Sequence, residues 1–125
     1  MLLHSATSNT PPPVVFVVDD DAAMRAYVRS RIEEMGCQVA EAEDGQAALA
    51  QIQAAPEVAL VVADLYMPGL DGLALKAALH ADARWATLPV LLVTGQRLRA
   101  RDGPVLRKPF NARQLQRAVS ALLSP

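Results

Sequence analysis

The segment VVFVVDDD, residues 14–21, joins five apolar residues directly to three carboxylates. A short, continuous and largely β-branched run of this kind is typical of a strand that is buried on both faces of a sheet. Three further apolar runs also end in residues suited to chemistry. They are residues 58–63 before Asp64, residues 89–93 before Thr94, and residues 105–106 before Arg107, Lys108 and Pro109.

The polar ends of these four runs are expected to meet. All strands of a parallel sheet point the same way, so residues at their C-terminal ends collect along the edge where open α/β sheets bind ligands. Three carboxylates, a hydroxyl and an ammonium would then share one pocket. Crowded carboxylates repel unless a cation lies among them, and Mg²⁺ takes oxygen ligands and shares its shell with phosphate. The pattern therefore predicts a site for magnesium and a phosphoryl group.

Composition favours one globular domain of ordinary size. The 125 residues are 52% hydrophobic and only 4% aromatic, so the core must consist of Val, Leu, Ile and Ala. The longest apolar stretch, near residues 58–63, is far shorter than the about 20 residues of a membrane-spanning helix. The start of the chain does not resemble a secretory signal, and the lone Cys37 cannot form an internal disulfide. We therefore expect a cytoplasmic protein that does not bind membranes, with Cys37 as a small core residue at the start of a strand.

Charge is distributed unevenly along the chain. Residues 1–96 hold five basic and twelve acidic residues, whereas residues 97–125 hold seven basic and one acidic. The arginines of residues 97–125 exceed what a phosphate site needs. They mark either a partner surface or a solvated loop and helix face. A net charge of -1 and the lack of a helix-turn-helix pattern argue against nucleic-acid binding.

Residues 1–13 are polar, end in three prolines, and are predicted to be a disordered tail before a domain at residues 14–125. Residues 37–42 alternate as a strand does, and apolar residues at helical spacing predict four helices. The first helix lies between an Asp21 cap and a Gly36 stop and carries Met24, Val28, Ile32 and Met35. The second begins at Asp44-Gly45 and buries Ala48, Leu49 and Ile52. The third, residues 73–80, buries Leu75, Ala78 and Leu79, and the fourth, residues 112–123 with an Asn111 cap, buries Leu115, Val119 and Leu122. Alternating strands and helices indicate a parallel sheet covered on both faces.

Each polar residue also has an ordinary structural interpretation. Asp21 is best explained as a helix cap, Thr94 alone suits a turn, and Lys108 alone suits the surface. Asp64 is more informative, because a carboxylate that ends a wholly apolar strand is costly to bury unless a ligand compensates for it. His4 and His80 are predicted to be surface residues, and Met67 and Trp85 to be packing residues.

The chain resembles the receiver domains of two-component response regulators over essentially residues 14–123. The acidic residues 19–21 resemble that family's acidic pair after the first strand, and DLYMPGLDG, residues 64–72, resembles its phosphoacceptor loop. Val93-Thr94-Gly95 and Lys108-Pro109-Phe110 resemble its switch hydroxyl and its lysine-proline turn, with a candidate cis peptide.

The resemblance implies a flavodoxin-like, doubly wound α/β fold with five parallel strands in the order 2-1-3-4-5. It implies that Asp64 accepts a phosphoryl group from a histidine kinase or phosphotransfer protein. Mg²⁺ would be held by Asp19, Asp20, Asp64 and the backbone carbonyl of Tyr66. Lys108 and Thr94 would contact the phosphoryl group, and the output would be binding to a downstream protein. The protein is expected to be a monomer or weak dimer, and it is not expected to be an enzyme.

Two features depart from the family pattern. Only fourteen positions separate Thr94 from Lys108, and residues 96–104 lack an apolar stripe beyond Leu98, so the family's fourth helix is predicted to be shortened or absent. Output would then use another face or the basic residues 97–101. Val105 stands where the family often has an aromatic ring that swings inward, so coupling through such a ring is not expected. Tyr66 and Gln96 lie where the family tunes phosphoryl lifetime.

Two rival functions follow from the same residues. An aspartyl-phosphate phosphatase also has a nucleophilic Asp after a strand, but such enzymes typically have a second acid two positions on, where this chain has Tyr66. A P-loop enzyme is disfavoured because no strand of this chain is followed by the glycine-rich P-loop signature. The other alternative is a receiver-like binding module in which phosphorylation switching is altered or lost.

Overall fold

A computed structural model describes residues 11–96 and 102–124 of the chain. Ten segments of regular structure follow one another in this part. They are β1 (Val14–Val18), α1 (Ala22–Glu33), β2 (Gln38–Ala42), α2 (Gly45–Ala54), β3 (Leu60–Asp64), α3 (Gly72–His80), a 3₁₀ turn (Ala83–Trp85), β4 (Val90–Thr94), β5 (Val105–Arg107) and α4 (Ala112–Leu123).

The five strands form one parallel sheet in the order β2-β1-β3-β4-β5. This confirms the predicted doubly wound, flavodoxin-like α/β fold. Strand order reverses between β1 and β3, and in open α/β sheets the carboxyl edge at such a reversal is the usual ligand-binding crevice. The topology therefore brings the ends of β1 and β3 together at the position where a site is expected.

Alternate residues of each strand supply two separate cores. Phe16 and Val18 of β1 pack on one face with α2 and α3, whereas Val15 and Val17 pack on the other face with α1 and α4. All five residues of β3 are buried, as expected for a central strand covered on both faces. Because helices cover both faces of the sheet, the ends of its strands are where side chains can meet a ligand.

Helix caps fix where the helices begin. Asp21 accepts hydrogen bonds from the N–H groups of residues 23 and 24, and Asn111 forms a reciprocal capping box with Gln114, as predicted for both ends. Asp44 and Asp71 cap α2 and α3 in the same way. These four caps therefore fix where the chain enters each helix after it leaves the carboxyl edge of the sheet.

Most differences from the predicted elements are small. β2, β3 and β4 begin at residues 38, 60 and 90 rather than 37, 58 and 89, so Cys37 precedes β2, and its thiol is half-buried with a pKa raised by burial. Leu49, Ala78 and Leu122 are half-buried rather than buried.

His80 was predicted to be a surface residue, and this was wrong. Its ring is partly buried and Nε2 lies 2.7 Å from the backbone oxygen of Leu88, so the side chain ties the end of α3 to the approach of β4. Met67 and Trp85 are buried packing residues, as predicted.

Several predictions fall on residues that the structure does not describe. His4 and most of the predicted tail lie outside the described residues, although residues 11–13 are described and exposed. The predicted loss of a helix between β4 and β5 depends on residues 97–101, which also lie outside them. None of the helices in the described part of the chain combines the length and the apolar character needed to cross a bilayer.

Candidate functional site

The predicted site residues lie along the carboxyl edge of the sheet. Asp19 directly follows β1, while Asp64 ends β3 and Thr94 ends β4. Asp64 pairs with Val93 in the ladder, so Thr94 lies one residue further along the neighbouring strand. Lys108 directly follows β5, whose Arg107 pairs with Thr94. The register of the central strands therefore brings these side chains to one place.

Three carboxylates form a compact acidic cluster. One oxygen each from Asp19, Asp20 and Asp64 lies within 4.8 Å of the others. The exposed fraction is 5% for Asp19 and 8% for Asp64, whereas Asp20 is exposed. The cluster is thus two buried acids with an exposed acid at the opening, which is a costly arrangement of like charges without a compensating cation.

Asp19 carries the clearest electrostatic evidence of that cost. Burial raises the pKa of its carboxyl above the usual value, and the negative charges of Asp64 and Asp20 add to the effect. A hydrogen bond of 2.9 Å from the Asp21 N–H to Oδ1 and the charge of Lys108 act in the opposite direction. The ionised form of Asp19 is therefore less favourable here than in water, and a cation among the carboxylates would favour it.

Lys108 is the positive group that the fold itself provides. Its Nζ lies 2.9 Å from Oδ1 of Asp64, and its backbone N–H donates to the Thr94 carbonyl at 2.9 Å. The Lys108-Pro109 bond is cis, as predicted. Partial burial on its own would lower the pKa of Lys108, but the hydrogen bond and charge of Asp64 raise it. Lys108 is therefore held as an ammonium beside the central carboxylate.

Thr94 is almost fully buried, with an exposed fraction of 1%. Its hydroxyl accepts a hydrogen bond of 3.0 Å from the backbone N–H of Gln96. A hydroxyl can accept one hydrogen bond and still donate its own proton. Thr94 is therefore at the edge of the site with a donor to offer.

Tyr66 lies two residues beyond Asp64, and its side chain is 58% exposed. Its hydroxyl donates to Oε1 of Gln96 at 2.8 Å, which links the loop after β3 to the turn after β4. The predicted use of its backbone carbonyl as a metal ligand stays a prediction. The side chains of Tyr66 and Gln96 form a bridge between two loops at the site, which sequence positions alone did not predict.

A close backbone contact holds the loop that follows Asp64. The N–H of Gly72 donates to the carbonyl of Leu65 at 2.9 Å, closing the loop of residues 65–71. A Cβ atom on Gly72 would lie 2.7 Å from the backbone oxygen of Asp64. Any larger residue would push the start of α3 away from the strand that carries Asp64, so glycine is required at this position.

The donor set of the acidic cluster fits a hard divalent cation. Carboxylate oxygens are the ligands that Mg²⁺ prefers, and two or three of them leave room for water and a phosphate oxygen. Burial, with a further contribution from the charge of Asp64, raises the pKa of the Asp19 carboxyl, so a cation among these oxygens would favour its ionised form. Asp19, Asp20 and Asp64 together are thus chemically suited to hold such an ion.

Sequence reasoning missed Arg25. Its NH1 donates to the backbone oxygen of Asp19 at 2.6 Å, and its Nε contacts Oε1 of Glu41 at 3.1 Å. Glu41 lies in β2 opposite Val17 of β1, a register that the sequence alone does not supply. The available signal was an arginine in the first turn of α1, six residues beyond Asp19.

An apolar groove borders the site. Its cavity of about 430 Å³ is lined by Met24 and Tyr27 of α1 and by Lys108, Pro109 and Phe110. The rings of Tyr27 and Phe110 lie 6.5 Å apart, and Tyr27 is 40% exposed. Because Lys108 both lines this groove and contacts Asp64, the groove opens beside the central carboxylate.

The fold and this edge define an α/β domain of the flavodoxin-like class, with an acidic pocket at the point where the strand order reverses between β1 and β3. The family model described as "Response regulator receiver domain" matches residues 15–120. The chain therefore belongs to the response regulator receiver domain family.

Known proteins agree with this assignment. The chain is similar to "Chemotaxis protein CheY" of Pseudomonas aeruginosa, at 32% identity over 86% of this chain and 94% of that protein. It is 34% identical to "DNA-binding dual master transcriptional regulator RpaA" of Synechocystis, covering 89% of this chain but 49% of that protein. This chain thus spans about half the length of the second relative.

Solved structures show the same architecture. Chemotaxis response regulator CheY4 of Vibrio cholerae superposes with a TM-score of 0.82 at 27% identity, over 90% of this chain and 99% of that one. A putative response regulator from Chloroflexus aurantiacus gives a TM-score of 0.83 at 27% identity, over 91% and 99% of the two chains.

Proposed function

We propose that the protein accepts a phosphoryl group on Asp64 from a histidine kinase or phosphotransfer protein, in the presence of Mg²⁺, and signals by binding another protein. One observation carries this proposal: Lys108 Nζ contacts Asp64 at 2.9 Å inside a cluster whose carboxylate oxygens lie within 4.8 Å of one another. A nucleophilic carboxylate thereby has a cation on one side and a potential cation site on the other.

The transfer that this geometry suits is an in-line displacement. A carboxylate oxygen of Asp64 forms a bond to phosphorus while the bond from phosphorus to the donor's imidazole nitrogen breaks, and that nitrogen keeps the electron pair. The protein's contribution is positioning and charge neutralisation. Lys108 is close enough to Asp64 to follow the phosphoryl oxygens as the bond forms.

Asp19, Asp20 and Asp64 would hold Mg²⁺, with the Tyr66 backbone carbonyl as the fourth proposed ligand. When bound, the ion supplies positive charge that neutralises the phosphoryl oxygens. Asp19 contributes from a buried position that its backbone contacts fix, whereas Asp20 lies at the exposed opening. The chain thus offers one fixed and one accessible carboxylate beside the acceptor.

The response to phosphorylation is proposed to pass through Thr94. An aspartyl phosphate adds nearly two negative charges and new acceptor oxygens at Asp64. The Thr94 hydroxyl still has a proton to donate, and the Gln96 N–H that it accepts from would move with it. Val105 is half-buried against the core on the α2 and α3 face, so a backbone shift of this turn is the proposed carrier instead of a moving ring.

The phosphodonor is proposed to dock on the apolar groove beside Lys108. Its phosphorylated imidazole must come within bond-forming distance of Asp64, so its own surface must cover the neighbouring edge of α1. Met24, Tyr27 and Phe110 provide apolar contact area there. A Tyr27→Ala variant should slow transfer from a protein donor about tenfold, as for loss of an exposed aromatic anchor, while uptake from a small-molecule donor stays unchanged. Equal slowing with both donors would exclude docking at the groove.

Phosphoryl acceptance without a further catalysed reaction makes the protein a signalling domain in this proposal and not an enzyme. We propose that it acts in the cytoplasm, as a monomer or weak dimer, on an unidentified downstream protein and without contacting nucleic acid or membrane. Analytical ultracentrifugation with and without the phosphodonor tests the proposed oligomeric state.

The central experiment is treatment with acetyl phosphate and Mg²⁺, followed by intact-protein mass spectrometry. The expected result is the mass of one added phosphoryl group, lost in Asp64→Asn and retained in the matched variant Asp71→Asn, which changes a carboxylate seven residues away. Lack of any mass gain, with Mg²⁺ still bound, would support the alternative: a receiver-like binding module without phosphorylation switching. Retention of the added mass in Asp64→Asn would overturn the proposed acceptor.

A further inference from the structure

Arg25 joins the acidic cluster to the edge strand of the sheet. It lies in the first turn of α1, and its side chain is only 18% exposed. NH1 donates to the backbone oxygen of Asp19 at 2.6 Å, and Nε pairs with Oε1 of Glu41 at 3.1 Å. One guanidinium therefore bridges the peptide that follows Asp19 and a carboxylate of β2.

The same short part of β2 also holds the other side of Asp19. The Asp19 N–H donates to the backbone oxygen of Ala42 at 3.2 Å, and Ala42 directly follows Glu41. Residues 41 and 42 thus fix Asp19 twice, directly at its N–H and through Arg25 at its carbonyl. The contact through Arg25 lies beyond the last paired residues of β1 and β2. At that point the backbone leaves the sheet and is no longer held by a neighbouring strand.

Asp20 is the residue that this arrangement leaves between two anchors. On one side is the Asp19 carbonyl held by Arg25. On the other is Asp21, which caps α1 and donates its N–H to the Asp19 carboxylate at 2.9 Å. The direction of the exposed Asp20 side chain therefore depends on the peptides on either side of it.

The geometry points to Arg25 as a positioning residue for the cation site, with Glu41 as the group that aims it. This inference rests on the proposed function, because it assigns a task in holding Mg²⁺. Arg25 does not contact the ion's carboxylates in this role; it fixes the backbone that carries Asp19 and Asp20. A planar guanidinium suits this task, since its separate donors can hold the carbonyl and the carboxylate at once.

Glu41 orients Arg25 through their direct ion pair, and it also pairs with a second arginine of α1. This second arginine is Arg29, and its hydrogen bond, together with the one from Arg25, lowers the pKa of the Glu41 carboxyl. Arg29 shares Glu41 but pairs at its other end with Glu33, on the outer side of α1. Arg29 therefore provides a matched control: the same residue type, the same helix and the same β2 partner, without the contact to Asp19.

Loss of positioning and loss of positive charge would change the affinity for a cation in opposite directions. Removing a positive charge near a cation site should strengthen cation binding. Loss of positioning should weaken it, and Mg²⁺ should suffer more than Ca²⁺, because Mg²⁺ demands near-ideal octahedral geometry and Ca²⁺ tolerates variable geometry. The ratio of the two affinities thus separates the two explanations.

The test is calorimetric titration of the full chain with Mg²⁺ and with Ca²⁺ for wild type, Arg25→Met, Glu41→Gln and Arg29→Met. The expected result is about tenfold weaker Mg²⁺ binding in Arg25→Met, a smaller change for Ca²⁺, an intermediate loss in Glu41→Gln, and less than about twofold change in Arg29→Met. Thermal unfolding of each variant shows that it is folded. Glu41→Gln keeps the experiment informative if Arg25→Met does not fold.

The outcomes separate this inference from the function on which it rests. If wild type binds no Mg²⁺, the proposed function fails. If wild type binds Mg²⁺ and Arg25→Met binds it equally well or more tightly, Arg25 does not position the site while the proposed function stands. An equal loss in Arg29→Met would also overturn the inference, since it would assign the effect to the general charge of α1.

Discussion

The two sides of the central carboxylate are held by different kinds of contact. On the side of β1, Asp19 is fixed by a backbone hydrogen bond to β2 and by the Arg25 contact, and Asp21 anchors the start of α1. We call this the carboxylate side. On the side of β4, the hydroxyl of Thr94 takes the N–H of its own turn, and the exposed pair Tyr66 and Gln96 links two loops. We call this the hydroxyl side.

The difference suggests a division of tasks. Hydrogen bonds of partly buried groups tied to secondary structure resist local opening, whereas exposed side-chain hydrogen bonds exchange readily with water. The carboxylate side is therefore suited to hold an ion in a constant geometry, and the exposed bridge between Tyr66 and Gln96 makes the loops of the hydroxyl side suited to rearrange when charge arrives at Asp64. Lys108 lies between them, because it contacts Asp64 through its side chain and Thr94 through its backbone.

The largest expected effect comes from removing the ammonium between the two sides. In Lys108→Met, phosphoryl uptake from acetyl phosphate at saturating Mg²⁺ should slow about a hundredfold, the usual cost of deleting one preorganised donor to a developing charge. Mg²⁺ should bind about fivefold more tightly, since a repulsive charge worth about 1 kcal/mol is gone. Rate is followed by mass spectrometry and affinity by calorimetry.

The matched control for this prediction is Lys76→Met, the same exchange on α3, where the ammonium contacts the Asp102 backbone oxygen instead. It should change neither quantity. An unchanged uptake rate in Lys108→Met would show that the contact with Asp64 has no part in transfer, and the comparison of the two sides would lose its link.

The carboxylate side is tested most directly at its exposed acid. Asp20→Asn removes one of the three cluster carboxylates and should weaken Mg²⁺ binding about tenfold or more, because hard cations depend on carboxylate charge. Glu57→Gln makes the same change of net charge at an exposed position in the loop before β3, and its affinity should equal that of wild type. Equal affinities in both variants would show that the cluster is not the ion site.

Local sequence signals predicted much of this arrangement. The apolar run of residues 58–63 leads directly into Asp64, and the run of residues 14–18 leads directly into three acidic residues. A strand and the polar residue at its end can therefore be identified without knowing which strands lie beside it. Caps such as Asp21 and Asn111 depend only on residues two or three positions away. Parallel topology then brings such ends together, and this is why Asp64 and Lys108 were correctly placed at one edge.

Side-chain contacts between different elements and loops were beyond the reach of the sequence. The Arg25 to Glu41 pair depends on the register between β1 and β2, the Tyr66 to Gln96 bridge on the approach of two loops, and the His80 contact on the path into β4. Each joins residues whose spacing follows no helical or strand period. The first two of these contacts hold the parts of the site that differ between its two sides, and the sequence does not predict them.

A smaller effect is expected from the buried acid of the carboxylate side. Burial raises the folded-state pKa of Asp19 above its usual value, so its ionised form opposes folding at neutral pH, and this cost is relieved as the pH falls through the raised pKa. Without Mg²⁺, Asp19→Asn should therefore raise Tm by a few degrees at pH 7, and the gain should shrink as the pH approaches 4. Thermal unfolding over this pH range measures it.

Glu57→Gln again serves as the control for Asp19→Asn, since its carboxylate is exposed and its Tm difference from wild type should stay near zero at each pH. Addition of Mg²⁺ should raise Tm for wild type more than for Asp19→Asn, because binding to the folded state adds stability. A lower Tm in Asp19→Asn than in wild type at pH 7 would contradict the view that the cluster is over-charged without an ion.

The smallest effect is expected on the hydroxyl side, at the bridge between its two loops. Tyr66→Phe keeps the ring and removes the hydroxyl that donates to Gln96 at 2.8 Å. An exposed hydrogen bond contributes about 1 kcal/mol or less, so hydrolysis of the phosphorylated form should accelerate by no more than about fivefold as the loops separate. Loss of phosphoryl mass over time gives the rate, and Tyr27→Phe, on α1, is the matched control. Acceleration by a factor of ten or more would mean that the bridge is not a weak exposed contact, and that the hydroxyl side is held as firmly as the carboxylate side.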